Sequence, residues 1–229
     1  MKIALIGYGK MGQMIASIAK DRGHEVVCIV DPIASKQTID SDEFRSAAVA
    51  IEFSHPDAAE ANIRASIAQG VPVLSGTTGW LAADLQTELQ GKDHPGIIWS
   101  SNYSIGVNVL FAVNKYLAKL LHRAGGYRPS ITEVHHVHKF DAPSGTAKTL
   151  REAIVWQTAN PYCPIEAIRE GEIPGIHEVR WESPVDILSL RHEAKSRQGF
   201  AWGAILAAEW LADKRGWHTL NEVLGLSAI

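Results

Sequence analysis

"KIALIGYGKMG", residues 2–12, carries an aliphatic run into glycines at positions 7, 9 and 12. Such a run reads as a strand turning sharply into a helix, and the glycine spacing is that of a dinucleotide-binding turn. The first glycine permits the tight turn. The second lets a pyrophosphate approach the backbone, and the third lets the helix pack closely on the strand. Amides at the helix start then face the phosphates, so Gly7, Tyr8, Gly9, Lys10, Met11 and Gly12 are candidate cofactor contacts. Asp31 closes the next apolar run, "EVVCIVD" (25–31). A carboxylate there can accept hydrogen bonds from the adenosine ribose hydroxyls. A 2′-phosphate beside it would meet like charge. Pro32 follows directly, and the nearest cation in sequence is Lys36. NADH is therefore the expected cofactor, with NADPH as the alternative.

Outward from this turn, short apolar runs recur at 48–54, 71–76 and 96–101. They are apolar on both faces, as strands of a parallel sheet covered on both sides should be. Between the runs lie the helical patterns "KMGQMIASIAKDRG", "PDAAEANIRASIAQG" and "LAADLQTELQG". Strand–helix alternation of this kind predicts a Rossmann-type, doubly wound parallel sheet. Residues 32–47 are polar and predict a short helix or none.

From residue 104 the rhythm changes. "VNVLFAVNKYLAKLL" (107–121) places Leu110, Val113, Leu117, Leu120 and Leu121 on one helical face. Strand-like runs then follow one another around "SITEVHHVHKF", "GIHEVRWES" and "VDILSLRHEA", with a helix expected over 146–158. This predicts a second, α+β domain for substrate binding and oligomerisation, with a mixed or antiparallel sheet. The expected division is 1–103 with 198–229 as the dinucleotide-binding domain and 104–197 as the substrate-binding and catalytic domain. In the closing helix, Trp202, Ile205, Leu206 and Trp210 form a stripe expected in the core, as are the seven tryptophans generally.

Composition excludes several classes. A formal net charge of −3 offers no global field for nucleic acid or anionic lipid. Cys28 lies in an apolar run and Cys163 in a loop-like stretch, a pairing with neither disulfide nor metal-ligand spacing. The N-terminal apolar core is too short for a signal peptide, and no run reaches membrane-spanning length. The expected location is cytosolic.

"EVHHVHKFDAPSGTA" (133–147) concentrates histidines, a lysine and an aspartate ahead of a helix. On an extended strand, Glu133, His135, Val137 and Lys139 would share one face, and His136 and His138 the other. His136 and His138 have a spacing found in metal sites. However, no third or fourth ligand is evident nearby, so acid–base chemistry is expected and no metal. "SGT" can cap a helix, and a helix start beside Lys139 suits a carboxylate-bearing ligand.

This stretch closely resembles the signature of the dihydrodipicolinate reductase (4-hydroxy-tetrahydrodipicolinate reductase) family. Supporting segments occur in order: the glycine motif, "SGTTGW" (75–80), "SSNYSIGVNV" (100–109) and "RHEAKSR" (191–197). The resemblance implies NAD(P)H-dependent reduction of 4-hydroxy-tetrahydrodipicolinate to tetrahydrodipicolinate, in diaminopimelate and lysine biosynthesis. It implies that His135 and Lys139 serve as acid–base catalyst and proton donor. His136, Gly145 and Thr146 would bind the substrate carboxylates. Gly76, Thr77 and Thr78, with Ser100, Ser101, Asn102 and Tyr103, would hold the nicotinamide half of the cofactor. A homotetramer is implied as well. The sequence departs from the family pattern in an abbreviated segment after Asp31, in "SSNY" where small apolar residues and phenylalanine are common, and in Glu193 where a basic residue is common.

Overall fold

The structure is a computed structural model, which describes residues 1–80 and 82–226. Residues 227–229, the end of the expected cofactor domain, lie outside them. The chain falls into two compact units: Met1–Ser104 with Gln198–Gly225, and Ile105–Arg197, with which Leu226 groups. In chain order the first unit begins β1 (Lys2–Ile6), α1 (Lys10–Asp21), β2 (Glu25–Val30), α2 (Asp42–Arg45), β3 (Val49–Glu52), α3 (Pro56–Ala68), β4 (Val73–Ser75), α4 (Ala82–Leu89) and β5 (Ile97–Trp99). The second unit supplies α5 (Ile105–Ala124), β6 (Arg128–His135), α6 (Gly145–Thr158), β7 (Ile165–Arg169), β8 (Ile176–Glu182) and β9 (Ile187–Glu193). The chain returns to the first unit with α7 (Gln198–Leu211), β10 (Trp217–His218) and α8 (Leu220–Val223).

The first unit is a six-stranded parallel sheet in the order β10-β5-β4-β3-β1-β2. Side chains alternate between its two faces, and each face has its own core. Ile3, Leu5, Val49, Ile51 and Leu74 pack with Ile15 of α1 and the buried face of α7. Ala4, Ile6, Ala50, Val73 and Ile97 pack with Phe44, Ile63 and Leu85 of α2, α3 and α4. The region after Asp31 holds only the four-residue α2, capped by Ser41.

The expected stripe on α7 holds at Ile205, which is buried, and at Trp210, which packs against the core, and is corrected at Trp202. Its buried face is made by Ala201, Gly203, Ala204, Ile205, Ala207, Ala208 and Leu211, because small side chains let the helix lie close to the sheet. Trp202 is 46% exposed and lies under the Arg22 guanidinium, 4.7 Å from its ring centre. Trp156, on α6, is exposed as well, whereas Trp181 is fully buried.

The second unit is a four-stranded mixed sheet in the order β7-β6-β8-β9. β6 pairs parallel with β7 and antiparallel with β8, and β8 pairs antiparallel with β9. Alternate residues of β6 are buried. Ile131, Val179 and Trp181 pack with Leu110 and Ala118 of α5 and with Leu150 and Ile154 of α6. Cys163, although in a loop, joins this core, and burial pushes its thiol up to about 11. The histidine stretch differs from the extended reading. β6 ends at His135, and the amide of Lys139 donates to the carbonyl of His136 at 3.1 Å. The chain turns there, so Lys139 does not continue the face of Glu133 and His135. Among the described residues, no helix is long and apolar enough to cross a membrane.

Candidate active site

In the first unit the glycine turn has the expected form. Gly7 has φ +90°, and a β-carbon on it would fall 2.2 Å from the Phe53 carbonyl oxygen. One on Gly12 would fall 2.2 Å from the Gly7 carbonyl oxygen. Gly9 differs: among the described residues, and leaving out its own chain neighbours, no atom lies within 4 Å of the position a β-carbon would take. Packing therefore explains Gly7 and Gly12, while space outside the loop is what glycine at 9 preserves. Gly9 caps α1 without a side chain, and the first turn of α1 carries no acidic residue. Lys10 is exposed and Tyr8 and Met11 half-buried. This geometry fits a pyrophosphate.

Asp31 stands where β2 ends. Its carboxylate accepts from the amides of Tyr8 at 2.8 Å and of Ile33 and Ala34 at 2.9 Å each. These amides, Tyr8 foremost, hold its carboxyl below the usual range. Asp31 thus ties the glycine turn to the strand behind it.

A second carboxylate, which motif reading missed, organises the neighbouring loops. Glu52 is fully buried at the end of β3. It accepts from Ser75 Oγ at 2.5 Å, Thr77 Oγ1 at 2.9 Å and the amide and hydroxyl of Ser54. The Thr77 hydroxyl is thus committed to the protein. Its carbonyl accepts from the indole N–H groups of Trp80 at 2.8 Å and Trp99 at 2.9 Å. Tyr103 is buried against Phe53, and its hydroxyl donates to the Ser75 carbonyl at 2.9 Å. Thr77 and Tyr103 therefore shape the loop ends, whereas Thr78 and Ser101 are exposed on them. Ser100 and Asn102 close a tight turn, with the Asn102 amide donating to Ser100 Oγ at 3.2 Å. Gly76 lies against the Phe53 ring.

In the second unit, strand register assembles a polar group on the helix-covered face. His135 pairs across the ladder with Arg169, and Glu133 with His177. Glu133 is fully buried. Its Oε1 accepts from the Ser144 amide and from Arg169 Nη2, each at 3.0 Å. Its Oε2 lies 2.8 Å from His135 Nδ1 but outside the direction of an aligned hydrogen bond, so the contact is one of charge. Burial pushes the Glu133 carboxyl up, but Ser144, Arg169 and the charge of His135 outweigh it, and the group lies below its usual range. Burial is also the main influence lowering His135, with Glu133 opposing. His177 meets the His135 ring edge-on at 5.0 Å and lies 3.2 Å from Ser144 Oγ. Burial, then His135, depress His177 to about 4.

The same Ser144 caps α6, accepting from the Ala147 amide at 3.2 Å. Gly145, at the helix start, is exposed, with open space beside it, and Thr146 is half-buried next to it. His136 Nδ1 is buried without a hydrogen-bond partner. His138 is exposed and pairs with Glu172 at 3.1 Å. Lys139 Nζ lies 2.6 Å from Asp141 Oδ1, a contact that lowers the Asp141 carboxyl. Arg169 also donates to the carbonyls of Lys139 at 3.2 Å and Asp141 at 2.5 Å. The fold thus gathers His135 and the α6 start around Glu133, and it fixes the Lys139 turn through Arg169.

Glu133, His135 and His177 each offer a ligand atom, all within 4.8 Å of one another. This trio, rather than the His136–His138 pair, is the candidate metal set among the described residues. Arg169 already neutralises the carboxylate, and a dication there would meet its guanidinium at close range.

Acid should loosen this unit in a predictable window. The unfolded state takes up the His177 proton near pH 6.5, while the folded state resists it down to about 4. The unfolded state thus binds more protons in that interval, and stability falls as pH drops through it. The contribution is at most about 3 kcal/mol. Glu133, with its lowered carboxyl, adds a loss of the same sign in acid. Urea unfolding at pH 7 and 4.5 should show a smaller decline for His177→Gln than for the unaltered protein. An equal decline would contradict the assignment.

Comparison with known proteins agrees in both halves of the chain. Residues 1–103 match the family model described as dihydrodipicolinate reductase, N-terminus, and residues 106–224 match dihydrodipicolinate reductase, C-terminus. A 4-hydroxy-tetrahydrodipicolinate reductase of Christiangramia forsetii is 42% identical, covering 98% of each chain. One of Ralstonia nicotianae is 34% identical, covering 99% of this chain and all of its own. A solved structure described as dipicolinate-bound dihydrodipicolinate reductase from Paenisporosarcina sp. TG-14 superposes with TM-score 0.81 at 20% identity, over 97% of this chain and 98% of its own. Aspartate dehydrogenase from Thermotoga maritima shares the fold more loosely, with TM-score 0.51 at 14% identity over 93% and 97%. Family models that span both units, and relatives matched over nearly their whole length, place this chain in the dihydrodipicolinate reductase family.

Proposed function

We propose that the protein reduces 4-hydroxy-tetrahydrodipicolinate to tetrahydrodipicolinate, in the diaminopimelate and lysine route, using NADH in preference to NADPH. One observation carries the site assignment: His135, the Lys139 turn and the start of α6 are held together around buried Glu133. The reaction consumes the hydroxylated ring, one NAD(P)H and one proton, and releases the reduced ring, NAD(P)⁺ and water. Gly7, Gly9, Gly12 and the amides opening α1 would hold the pyrophosphate, Asp31 the ribose, and the exposed parts of the 76–78 and 100–103 loops the nicotinamide half. The bound dinucleotide supplies the hydride.

The remaining work belongs to the second unit. The start of α6, at Gly145 and Thr146, receives one substrate carboxylate through its amides, and His136, whose Nδ1 has no hydrogen-bond partner, is a further carboxylate ligand in this reading. Elimination of water from the ring leaves a conjugated imine. After hydride reaches ring carbon 4, the resulting enamine needs a proton at the adjacent carbon. Lys139 delivers that proton from Nζ, which lies 2.6 Å from Asp141 Oδ1. His135 assists as acid–base group, its Nδ1 facing Glu133 so that Nε2 is the working nitrogen.

The NADH preference rests on Asp31. Its carboxylate is pinned by the amides of Tyr8, Ile33 and Ala34, so it cannot swing away from an incoming 2′-phosphate. kcat/KM measured with both cofactors should favour NADH, and a tenfold preference for NADPH would sink the assignment. A homo-oligomeric, cytosolic enzyme completes the reading. Edge strand β9, with Ile187 and Leu188 exposed, supports self-association.

A further inference from the structure

The geometry points to Glu133 and Arg169 as a positioning pair that sets both His135 and the Lys139 turn, with neither of the pair touching substrate. The inference rests on the reading of His135 and Lys139 given above. Arg169 spends its guanidinium on one small region. Nη2 donates to Glu133 Oε1 at 3.0 Å and to the Asp141 carbonyl at 2.5 Å. Nε donates to the Lys139 carbonyl at 3.2 Å, and Nη1 to the Ile168 carbonyl at 2.7 Å. The other oxygen of Glu133 lies against His135 Nδ1 at 2.8 Å. One cation therefore binds the carboxylate behind the acid–base histidine and the backbone on both sides of Phe140. The turn that carries Lys139 is exposed at Phe140 and lies beyond the end of β6. Without this clamp its hold on the sheet would be much reduced.

Charge balance alone does not require this arrangement. A lysine at 169 could neutralise Glu133, but an ammonium lacks the planar fork that reaches a carboxylate and several carbonyls together. Misplacement of a reacting group by about 1 Å can cost roughly 10²-fold in rate. The pair is thus placed to control turnover without contacting the ring.

The test compares Glu133→Gln, Arg169→Lys and the double variant Glu133→Gln/Arg169→Met with the unaltered enzyme. Leaving one buried charge unpaired can prevent folding, whereas removing both is tolerated far better. The double variant therefore keeps the test decisive if a single one fails to fold. Expected are kcat values roughly 10–100-fold lower in each folded variant, with the NADH Kd unchanged. In Glu133→Gln the limb of the pH–kcat/KM profile belonging to His135 should move to lower pH, because the carboxylate favours its charged form. The charged and titratable groups around His135 are Glu133, Lys139 and Asp141 from its own segment, Arg169 from β7 and His177 from β8, and only the first changes in that variant.

Full turnover in Arg169→Lys or in the double variant would overturn the inference, since charge balance would then suffice. A raised KM with kcat unchanged would place Arg169 on the substrate and overturn it as well. Loss of turnover in Lys139→Ala and His135→Gln but not in these variants would overturn only the positioning pair. An unaltered protein that fails to consume NADH with the substrate would overturn the functional reading, and the inference with it.

Discussion

Replacing Lys139 with alanine should lower kcat by roughly 10²–10⁴-fold, the range for one positioned proton donor, and should leave NADH affinity nearly unchanged. The two effects separate because Lys139 belongs to the second unit and the glycine turn to the first. Stability should barely move. The side chain is held in the described structure by Asp141, which is itself 54% exposed. Pairs of that kind contribute about 0–1 kcal/mol. A fall of less than tenfold in kcat would remove Lys139 from the proton-donor role. Asp141→Asn removes the charge beside Lys139 Nζ but keeps the lysine, so it should weaken turnover less than loss of the lysine itself.

Gly9→Ala and Gly12→Ala should fail in different ways. At Gly12 the added carbon meets the Gly7 carbonyl oxygen at 2.2 Å. That neighbour is backbone, so the turn must open, with a loss of about 1–3 kcal/mol in stability and of NADH binding. At Gly9 no described residue beyond its chain neighbours stands within 4 Å. The Tm should be unchanged there, while the methyl group intrudes where a pyrophosphate would lie and NADH binding falls at least roughly tenfold. Thermal unfolding and titration calorimetry on the two variants check both statements. Unchanged NADH affinity in Gly9→Ala would contradict a phosphate at that turn.

Much of the fold was legible because burial on both sheet faces leaves an unambiguous trace. The runs ending at Ile6, Val30, Glu52 and Ser75 are short and β-branched or aliphatic, and the long helices α1 and α3 separate the first from the second and the third from the fourth. The mixed sheet was legible in β6 and β8, whose buried residues alternate, and in the strand-like run of β9 that follows them. β7 was not. "IEAIR" is a five-residue edge strand with two exposed positions, and it pairs with β6 across a long connection. Missing it meant missing Arg169, whose importance comes from its register opposite His135. Glu52 was hidden for a related reason: one carboxylate in an apolar run has no meaning until Ser75 and Thr77 are seen to close on it.

The histidine signature shows both sides of this. The residue types and the helix start at Ser144 were readable from order alone. The geometry was not, since an extended strand would have carried Lys139 along the face of His135, whereas the chain turns after β6. The pairing of Glu133 with His177 likewise comes from an antiparallel register that no local pattern encodes. In α7 Trp210 packs against the core as its stripe predicts, but Trp202 does not, and the alanines between them are what fit against the sheet.

The most direct test of the central claim is the absorbance of NADH with substrate generated in situ from pyruvate and aspartate semialdehyde by the preceding condensing enzyme. Decay that requires both this protein and that substrate is the result expected. NADH that binds without being consumed, with NADPH inert as well, would contradict the assigned reaction and leave only a dinucleotide-binding unit.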